Sequence, residues 1–169
     1  ILTLILLFDQ NFHSQASDRM TFPNDQLVQF LSSIVAEPSL SGEERAVVER
    51  VGTEMRELGF DEVRIDENGS LTGAIEGAQP GPTLLLDAHV DTVGVAPGVD
   101  WVYEPFVGTV EDGRIYGRGT ADMKGALAAM IYGAAHVDRA RLRGRVVISA
   151  TVMEEVMEGI ALRTVVEEI

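Results

Sequence analysis

The sequence predicts an α/β fold in which helices cover a mixed, mostly parallel central sheet. Helical and strand-like patterns interleave along the chain, which is typical of layered α/β domains. Two apolar runs, at 82–91 and 144–152, have the nearly continuous hydrophobicity of strands inside a sheet. With 169 residues, of which 46% are hydrophobic, the chain is long enough for one domain with its own core.

The charge and the cysteine content limit the kinds of partner and of metal site that this sequence can have. The 27 acidic and 13 basic residues give a formal net charge of −14. No Lys or Arg stripe is present, so we expect no nucleic-acid partner. The absence of Cys excludes disulfides and thiolate metal sites, so His, Asp and Glu would have to hold any metal. This composition fits a cytoplasmic protein.

The two ends of the sequence differ from the domain between them. The opening "ILTLILLF" is only eight residues long and runs into Asp9, so we expect neither a targeting segment nor a membrane partner. Met20 precedes the first helical pattern, and residues 1–19 are therefore predicted to be a non-native or disordered leader. The helix-like "GIALRTVVEEI" has no stop signal. Residues 20–169 are accordingly predicted to be part of a longer, truncated domain.

Two helices are predicted first. Apolar residues recur at helical spacing from Asn24 until Pro38. A second helix follows Ser41, which stands three residues before Glu44 in the spacing of a capping box. Gly59 is suited to end this second helix as a C′ residue.

The following elements alternate between strands and helices. Asn68-Gly69 predicts a hairpin, and Asp112-Gly113 predicts a second one. The apolar run 82–91 is predicted to be a strand covered on both faces. Residues 122–137 form a helical pattern rich in small residues, and 144–152 predict a central strand before a final helix.

Polar side chains cluster where three of these elements end. His89 and Asp91 close the first apolar strand, Asp122 stands between hairpin and helix, and Glu154-Glu155 follow the second apolar strand. Sites in open α/β sheets form at the carboxyl ends of strands. Together these side chains offer an oxygen-rich set that suits two divalent metals sharing a carboxylate.

Each cluster also has an ordinary structural interpretation. His-x-Asp at a strand end is commonly a solvated turn, and Glu-Glu is common at a solvated helix start. The segment "GRGTADMKG" can be only a tight connection. It fails the dinucleotide pattern, because Asp122 stands where Gly is needed, and no Walker pattern is present. Phosphate binding is therefore disfavoured.

Three motifs that occur in a particular order favour a functional interpretation of the clusters over the structural one. "DAHVDTV", "WVYEPFVGTVEDGRIYGRGTADMKG" and Glu-Glu after a strand occur in succession. In this combination the sequence resembles the co-catalytic zinc peptidases and deacylases, which include acetylornithine deacetylase, succinyl-diaminopimelate desuccinylase and the glutamate carboxypeptidases. The resemblance runs from about residue 24 to the end and implies a layered aminopeptidase-like catalytic domain. Asp87-Ala88 before His89 is most similar to the subgroup of selenium-metabolism-linked hydrolases.

The resemblance also implies a role for each clustered residue. His89 and Asp122 would bind one metal, and Asp122 and Glu155 the other. Asp91 would hold the second ring N–H of His89. Glu154 would be the general base. A cis peptide is expected just after Asp122.

The implied reaction is hydrolysis of an amide in an N-acyl amino acid or short peptide. A metal-bridged hydroxide would attack the carbonyl after Glu154 takes its proton, and Glu154 would then protonate the leaving nitrogen. Two zinc ions are the expected cofactors, with cobalt or manganese as alternatives. Lys124 is expected to pair with a carboxylate and is given no catalytic role.

Part of the family pattern lies beyond this sequence. Relatives supply a further acidic ligand, a late histidine, and an inserted lid domain that usually dimerises. Each metal would here have two protein ligands, where a catalytic zinc commonly has about three. The chain alone is therefore expected to be poorly active or inactive, and the complete protein to be a homodimer. Two interpretations stay open: a fragment of a metal-dependent amidohydrolase, or a non-catalytic remnant with weak metal affinity.

Overall fold

The computed structural model describes residues 24–169. The predicted leader, residues 1–19, lies outside this part of the chain. The helices are α1 (Asn24–Ala36), α2 (Arg45–Glu57), α3 (Gly125–Ala135), α4 (Glu154–Met157) and α5 (Ile160–Glu168). The strands are β1 (Glu62–Ile65), β2 (Leu71–Glu76), β3 (Gln79–His89), β4 (Thr109–Glu111), β5 (Arg114–Tyr116) and β6 (Arg143–Thr151).

The main sheet has the strand order β1-β2-β6-β3. β6 runs parallel to β3, while β1 with β2 and β2 with β6 are antiparallel. The prediction of a mixed sheet is confirmed. The prediction that it is mostly parallel is wrong for the described strands, because the Asn68-Gly69 hairpin turns β2 back against β1 and β6 pairs with β2 in the opposite direction.

Strand β3 lies at one edge of this four-stranded sheet. Its side chains are exposed at the amino end and buried at Ala88 and His89. Leu84 is 54% exposed, so the prediction of a strand covered on both faces is wrong for this part of the chain. The physical reason is that β3 is an edge strand with only β6 beside it among the described residues, so its side chains lack the neighbours that an interior strand provides.

Helices α1, α2 and α3 and the sheet share a continuous apolar core. Phe30 and Ile34 of α1 contribute to it together with Val51 of α2, Leu127 of α3 and Ile148 of β6. Burying a side chain of this size contributes about 1.5–3 kcal/mol. This core fixes the carboxyl ends of β3 and β6 relative to the helices.

The second helix begins differently from the prediction. Helix α2 starts at Arg45, and its N-cap residue Glu44 makes no side-chain hydrogen bond to the helix. The predicted capping box of Ser41 and Glu44 is therefore wrong, because both side chains contact other loops. The predicted helix end is confirmed, since Gly59 follows the C-cap residue with φ of +80°.

The other predicted elements are confirmed, except that the helix predicted over 122–137 begins only at Gly125, because Asp122 and Met123 leave helical φ and ψ. The first hairpin turns at Gly69, and the second turns at Asp112 and Gly113, which both have positive φ. β6 is a central strand of the main sheet. None of the helices within residues 24–169 has the length and apolar character that a membrane crossing requires.

Candidate metal centre

Three separate loops meet at the carboxyl ends of β3 and β6. These strands are parallel neighbours, with His89 opposite Thr151. The residues that follow them, including Asp91 and Glu154, therefore lie at the same end of the sheet, where both strands have their carboxyl ends. The third loop is a wide turn, Thr120–Lys124, that precedes α3. The three polar clusters that the sequence predicts to meet therefore lie together in the structure.

His89, Asp122 and Glu155 form the centre of the cluster. One potential ligand atom from each of the three lies within 4.8 Å of the others. His89 Nε2 lies 3.1 Å from Asp122 Oδ1 and 3.8 Å from Glu154 Oε2. One imidazole nitrogen and several carboxylate oxygens are a donor set that Zn²⁺ accepts. The residues present therefore fit a divalent metal.

The ring of His89 is oriented from its other nitrogen. Nδ1 lies 3.0 Å from the backbone carbonyl oxygen of Asp91 and 3.4 Å from its Oδ1. A protonated Nδ1 donates to this carbonyl, which leaves the Nε2 lone pair directed toward Asp122. The expected partner was the Asp91 carboxylate, but the shorter contact is to the Asp91 backbone.

Asp91 itself is fully buried and organises the neighbouring loop. Its Oδ1 accepts a hydrogen bond from the backbone N–H of Glu154 at 3.0 Å. Its Oδ2 accepts one from the N–H of Glu155 at 3.0 Å and one from Ser41 Oγ at 2.7 Å. These three donors satisfy a carboxylate that would otherwise be costly to bury.

The acidic surroundings shift the protonation of the central groups. Burial alone would lower the pKa of His89, but the hydrogen bonds to Asp91 and Asp122 and the nearby negative charges raise it above 6.5. Burial is also the main reason that the pKa of Glu155 is raised, and repulsion from Asp122 and Asp91 adds to it. A divalent cation would relieve this repulsion.

Asp122 is presented by an unusual stretch of backbone. Its φ and ψ of −130° and 98° leave helical values, and the Asp122–Met123 peptide is cis, as the resemblance implied. The Asp122 side chain is 79% exposed, so it is available to a ligand. Gly119 begins the turn at φ of +79°.

Lys124 secures this turn to the first helix. Its Nζ donates to the carbonyl oxygens of Ile34 at 2.7 Å and Glu37 at 2.9 Å. The prediction that Lys124 pairs with a carboxylate is therefore wrong, because the carbonyls at the end of α1 lack helical partners and accept its protons. Burial is the main reason that the pKa of Lys124 falls to about 8.

Sequence reasoning missed a further set of contacts, from Ser39, Ser41 and Glu44. The three residues precede α2 and contact the loops that carry Asp91 and Glu154. The polar spacing of "SLSGEE" was visible in the sequence, but it was interpreted only as a helix cap.

Asp87, on the same strand as His89, has a separate environment. It accepts hydrogen bonds from Ser149 Oγ at 2.5 Å and Thr151 Oγ1 at 3.4 Å. Burial is the main reason that the pKa of this carboxyl is raised. Asp87 thus bridges β3 to β6 beneath the cluster.

The segment that carries the cluster matches a known family. The profile of Peptidase family M20/M25/M40 matches residues 85–169. The chain belongs to this family. The matched segment contains His89, Asp91, Asp122, Glu154 and Glu155. Membership confirms the resemblance that the motifs indicated, while the individual residue roles and the selenium-linked subgroup stay predictions.

The curated relatives of this M20 chain are longer proteins. The uncharacterized protein YgeY of Escherichia coli K12 is 37% identical over 145 residues, which are 84% of this chain and 35% of YgeY. A succinyl-diaminopimelate desuccinylase of Alkalilimnicola ehrlichii is 32% identical over 106 residues, covering 63% of this chain and 28% of that protein. The chain thus spans about a third of the length of the curated relatives it matches.

Solved structures agree with the fold. The M20 metallo-carboxypeptidase Sso-CP2 of Sulfolobus solfataricus superposes with a TM-score of 0.72 at 26% identity, over 85% of this chain and 34% of that one. Human carnosine dipeptidase 1 gives a TM-score of 0.70 at 25% identity, over 85% and 35%. The α/β fold with a mixed sheet is therefore that of M20 catalytic domains.

Proposed function

We propose that the protein is a metal-dependent hydrolase that cleaves the amide bond of an N-acyl amino acid or a short peptide. The observation that carries this proposal is the convergence of His89, Asp122 and Glu155 within 4.8 Å, beside Glu154. Three sequence-distant loops supply these groups. A solvated turn and a solvated helix start would have no reason to meet in this way.

The proposed ligand roles are those that the family resemblance implies, and the closeness of the side chains supports them. His89 and Asp122 would hold one divalent ion, and Asp122 and Glu155 a second, so that the exposed Asp122 carboxylate is shared. Zinc is the expected metal, with cobalt and manganese as alternatives. When bound, such ions lower the pKa of a coordinated water and polarise a substrate carbonyl.

Glu154 is the proposed general base. Its Oε2 lies 3.8 Å from His89 Nε2, so its carboxylate borders the cluster without being one of its three closest members. It would accept a proton from the attacking water and return it to the leaving nitrogen. Asp91 would support this role by accepting hydrogen bonds from the backbone N–H groups of Glu154 and Glu155.

The substrate class rests on the relatives. A desuccinylase, a metallo-carboxypeptidase and a dipeptidase are among the proteins similar to this chain. Their names share cleavage of an acyl or peptide link to an amine, so the proposed substrates are N-acyl amino acids and short peptides. The second candidate is a metal-binding module without catalysis, because among the described residues each proposed metal has two protein ligands, where a catalytic zinc commonly has about three.

Zinc-dependent release of amine from a panel of N-acyl amino acids and dipeptides, measured with the full-length protein, tests the proposal. We expect Glu154→Gln to lower the rate by at least about 10²-fold, since a positioned general base contributes about 10²–10⁴-fold. Glu158→Gln, at an exposed acid in the same loop, is the matched control and should keep the rate. Metal binding without any turnover would instead favour the module, and turnover unaffected by Glu154→Gln would overturn the role of Glu154.

A further inference from the structure

A short segment before α2, residues 39–44, contacts both loops that carry the metal cluster. Ser39 Oγ donates to the carbonyl oxygen of Val90 at 2.7 Å, and Ser39 O accepts from the N–H of Thr92 at 2.8 Å. Leu40 pairs with Thr92 as an isolated parallel bridge. The 39–44 segment therefore holds the backbone on both sides of Asp91.

Ser41 extends these contacts to the Asp91 side chain. Its Oγ donates at 2.7 Å to Oδ2, the same oxygen that accepts the N–H of Glu155. With both neighbours in place, the carboxylate cannot rotate without breaking a charge-assisted hydrogen bond. Ser41 thus fixes the acceptor on which the Glu155 backbone depends.

Glu44 reaches the other loop. It is only 5% exposed, and its Oε1 accepts the backbone N–H of Met153 at 3.0 Å. Met153 has φ of +61°, a left-handed conformation that is uncommon for a side chain of this kind. Glu44 therefore holds the backbone turn that immediately precedes Glu154.

The loop that these residues hold has little support of its own. Helix α4 is a single turn of four residues, has no buried residue, and lies between left-handed residues Met153 and Glu158. Its position must come from contacts made to it from outside. The contacts at its start are those of Asp91 and Glu44.

We propose that Ser41 and Glu44 are positioning residues that set the places of Glu154 and Glu155 relative to His89. Ser41 acts through Asp91, and Glu44 acts through the Met153 N–H. The consequence for metal affinity rests on the proposed function. The backbone positioning does not, and it can be tested without metal.

Amide hydrogen exchange of the metal-free 169-residue chain tests the positioning. We expect Ser41→Ala to speed exchange of the Glu155 N–H, and Glu44→Ala that of Met153, each by about tenfold, since one such hydrogen bond is worth about that factor. Glu44→Gln keeps an acceptor oxygen and should restore slow exchange. Glu43→Ala removes an adjacent exposed acid and is the matched control.

Unchanged exchange at both amides would overturn the proposal. Because Ser41 is partly exposed, Ser41→Ala decides the question even where Glu44→Ala fails to fold.

Cobalt binding, followed by its visible absorption, tests the consequence for the cluster. We expect Ser41→Ala and Glu44→Ala to weaken cobalt affinity about tenfold and to alter the spectrum, while Glu44→Gln and Glu43→Ala match the unmodified chain. Equal affinity and spectra in all variants would refute a positioning role. If the unmodified chain itself binds no cobalt, the proposed function fails, and hydrogen exchange still decides the role of Ser41 and Glu44.

Discussion

At the scale of single residues, the two aspartates beside His89 have different environments. Asp91 is completely buried and accepts three hydrogen bonds, whereas the Asp122 side chain is largely exposed and contacts the ring of His89. A satisfied carboxylate is a structural group, and an exposed one beside an imidazole is available for a cation. The two acids therefore have different roles although both lie beside His89.

The protonation of His89 provides a prediction about pH in the metal-free chain. Its pKa is raised above 6.5 in the fold, so the charged form stabilises the folded state. This contribution is fully present below pH 6.5 and is lost as the pH rises through the raised folded value.

We therefore expect the difference in thermal stability between the chain and its His89→Gln variant, measured in chelator, to shrink as the pH rises from below 6.5. Added zinc should reverse this trend, because zinc competes with protons for the ring nitrogen. A difference that grows with pH in chelator would contradict the raised pKa.

Gly119 provides a second prediction at this scale. It has φ of +79°, and a Cβ there would lie 2.6 Å from the buried Thr92 Cγ2. Gly98 has nearly the same φ, +77°, with open space around it. We expect Gly98→Ala to cost about 1 kcal/mol of unfolding free energy from backbone strain alone.

Gly119→Ala should cost about 1–3 kcal/mol more, since the added carbon overpacks the site. Chemical denaturation of the two variants measures the difference. Equal losses would show that the contact with Thr92 does not constrain the turn before Asp122.

At the scale of elements, the turn Thr120–Lys124 is held by the end of α1. Lys124 is the only lysine in the sequence, and its ammonium group caps the carbonyls of Ile34 and Glu37. Lys124→Met keeps the apolar stem but leaves these carbonyls without their donor. We expect a loss of about 1–3 kcal/mol in unfolding free energy near neutral pH, measured by denaturation.

The lowered pKa of Lys124 gives this prediction a pH dependence. The folded value of about 8 lies below the ordinary 10.5, so between these values the unfolded chain binds the extra proton. The contribution of this group to stability therefore rises with pH through that window. The chain should gain stability over Lys124→Met between pH 8 and 10.5, and a constant difference would contradict the assignment.

The elements show which features sequence patterns can predict. The hairpins at Gly69 and Asp112-Gly113 and the end of α2 at Gly59 follow from local backbone preferences, which a sequence displays directly. The cluster residues were predicted through their order and motif resemblance. Ser41 and Glu44 fit a local cap equally well, and only the tertiary contacts of this segment with the loops that follow β3 and β6 direct them to the site instead.

The strand directions could not be predicted for a related reason. Continuous apolar runs at 82–91 and 144–152 indicated interior strands, yet a pattern of burial does not encode which strand is a neighbour. β6 lies between β2 and β3, and it is antiparallel to β2 and parallel to β3.

At the scale of the whole molecule, the parallel pairing of β3 with β6 makes the site. His89 and the Glu154-Glu155 pair are more than sixty positions apart in the sequence, and this pairing brings them together at the carboxyl ends of the two strands. The net charge of −14 adds to the cost of assembling carboxylates there. A bound cation would offset that cost, and a ligand at a hundred times its Kd stabilises a fold by about 2.7 kcal/mol.

The most direct test of this account is a calorimetric zinc titration of the chain beside the double variant His89→Ala/Asp122→Ala. Glu158→Ala, at an exposed acid near the site, is the control. The account predicts saturable zinc binding by the chain and the control, and its loss in the double variant. The same weak heats from all three proteins would contradict a metal centre built on His89 and Asp122.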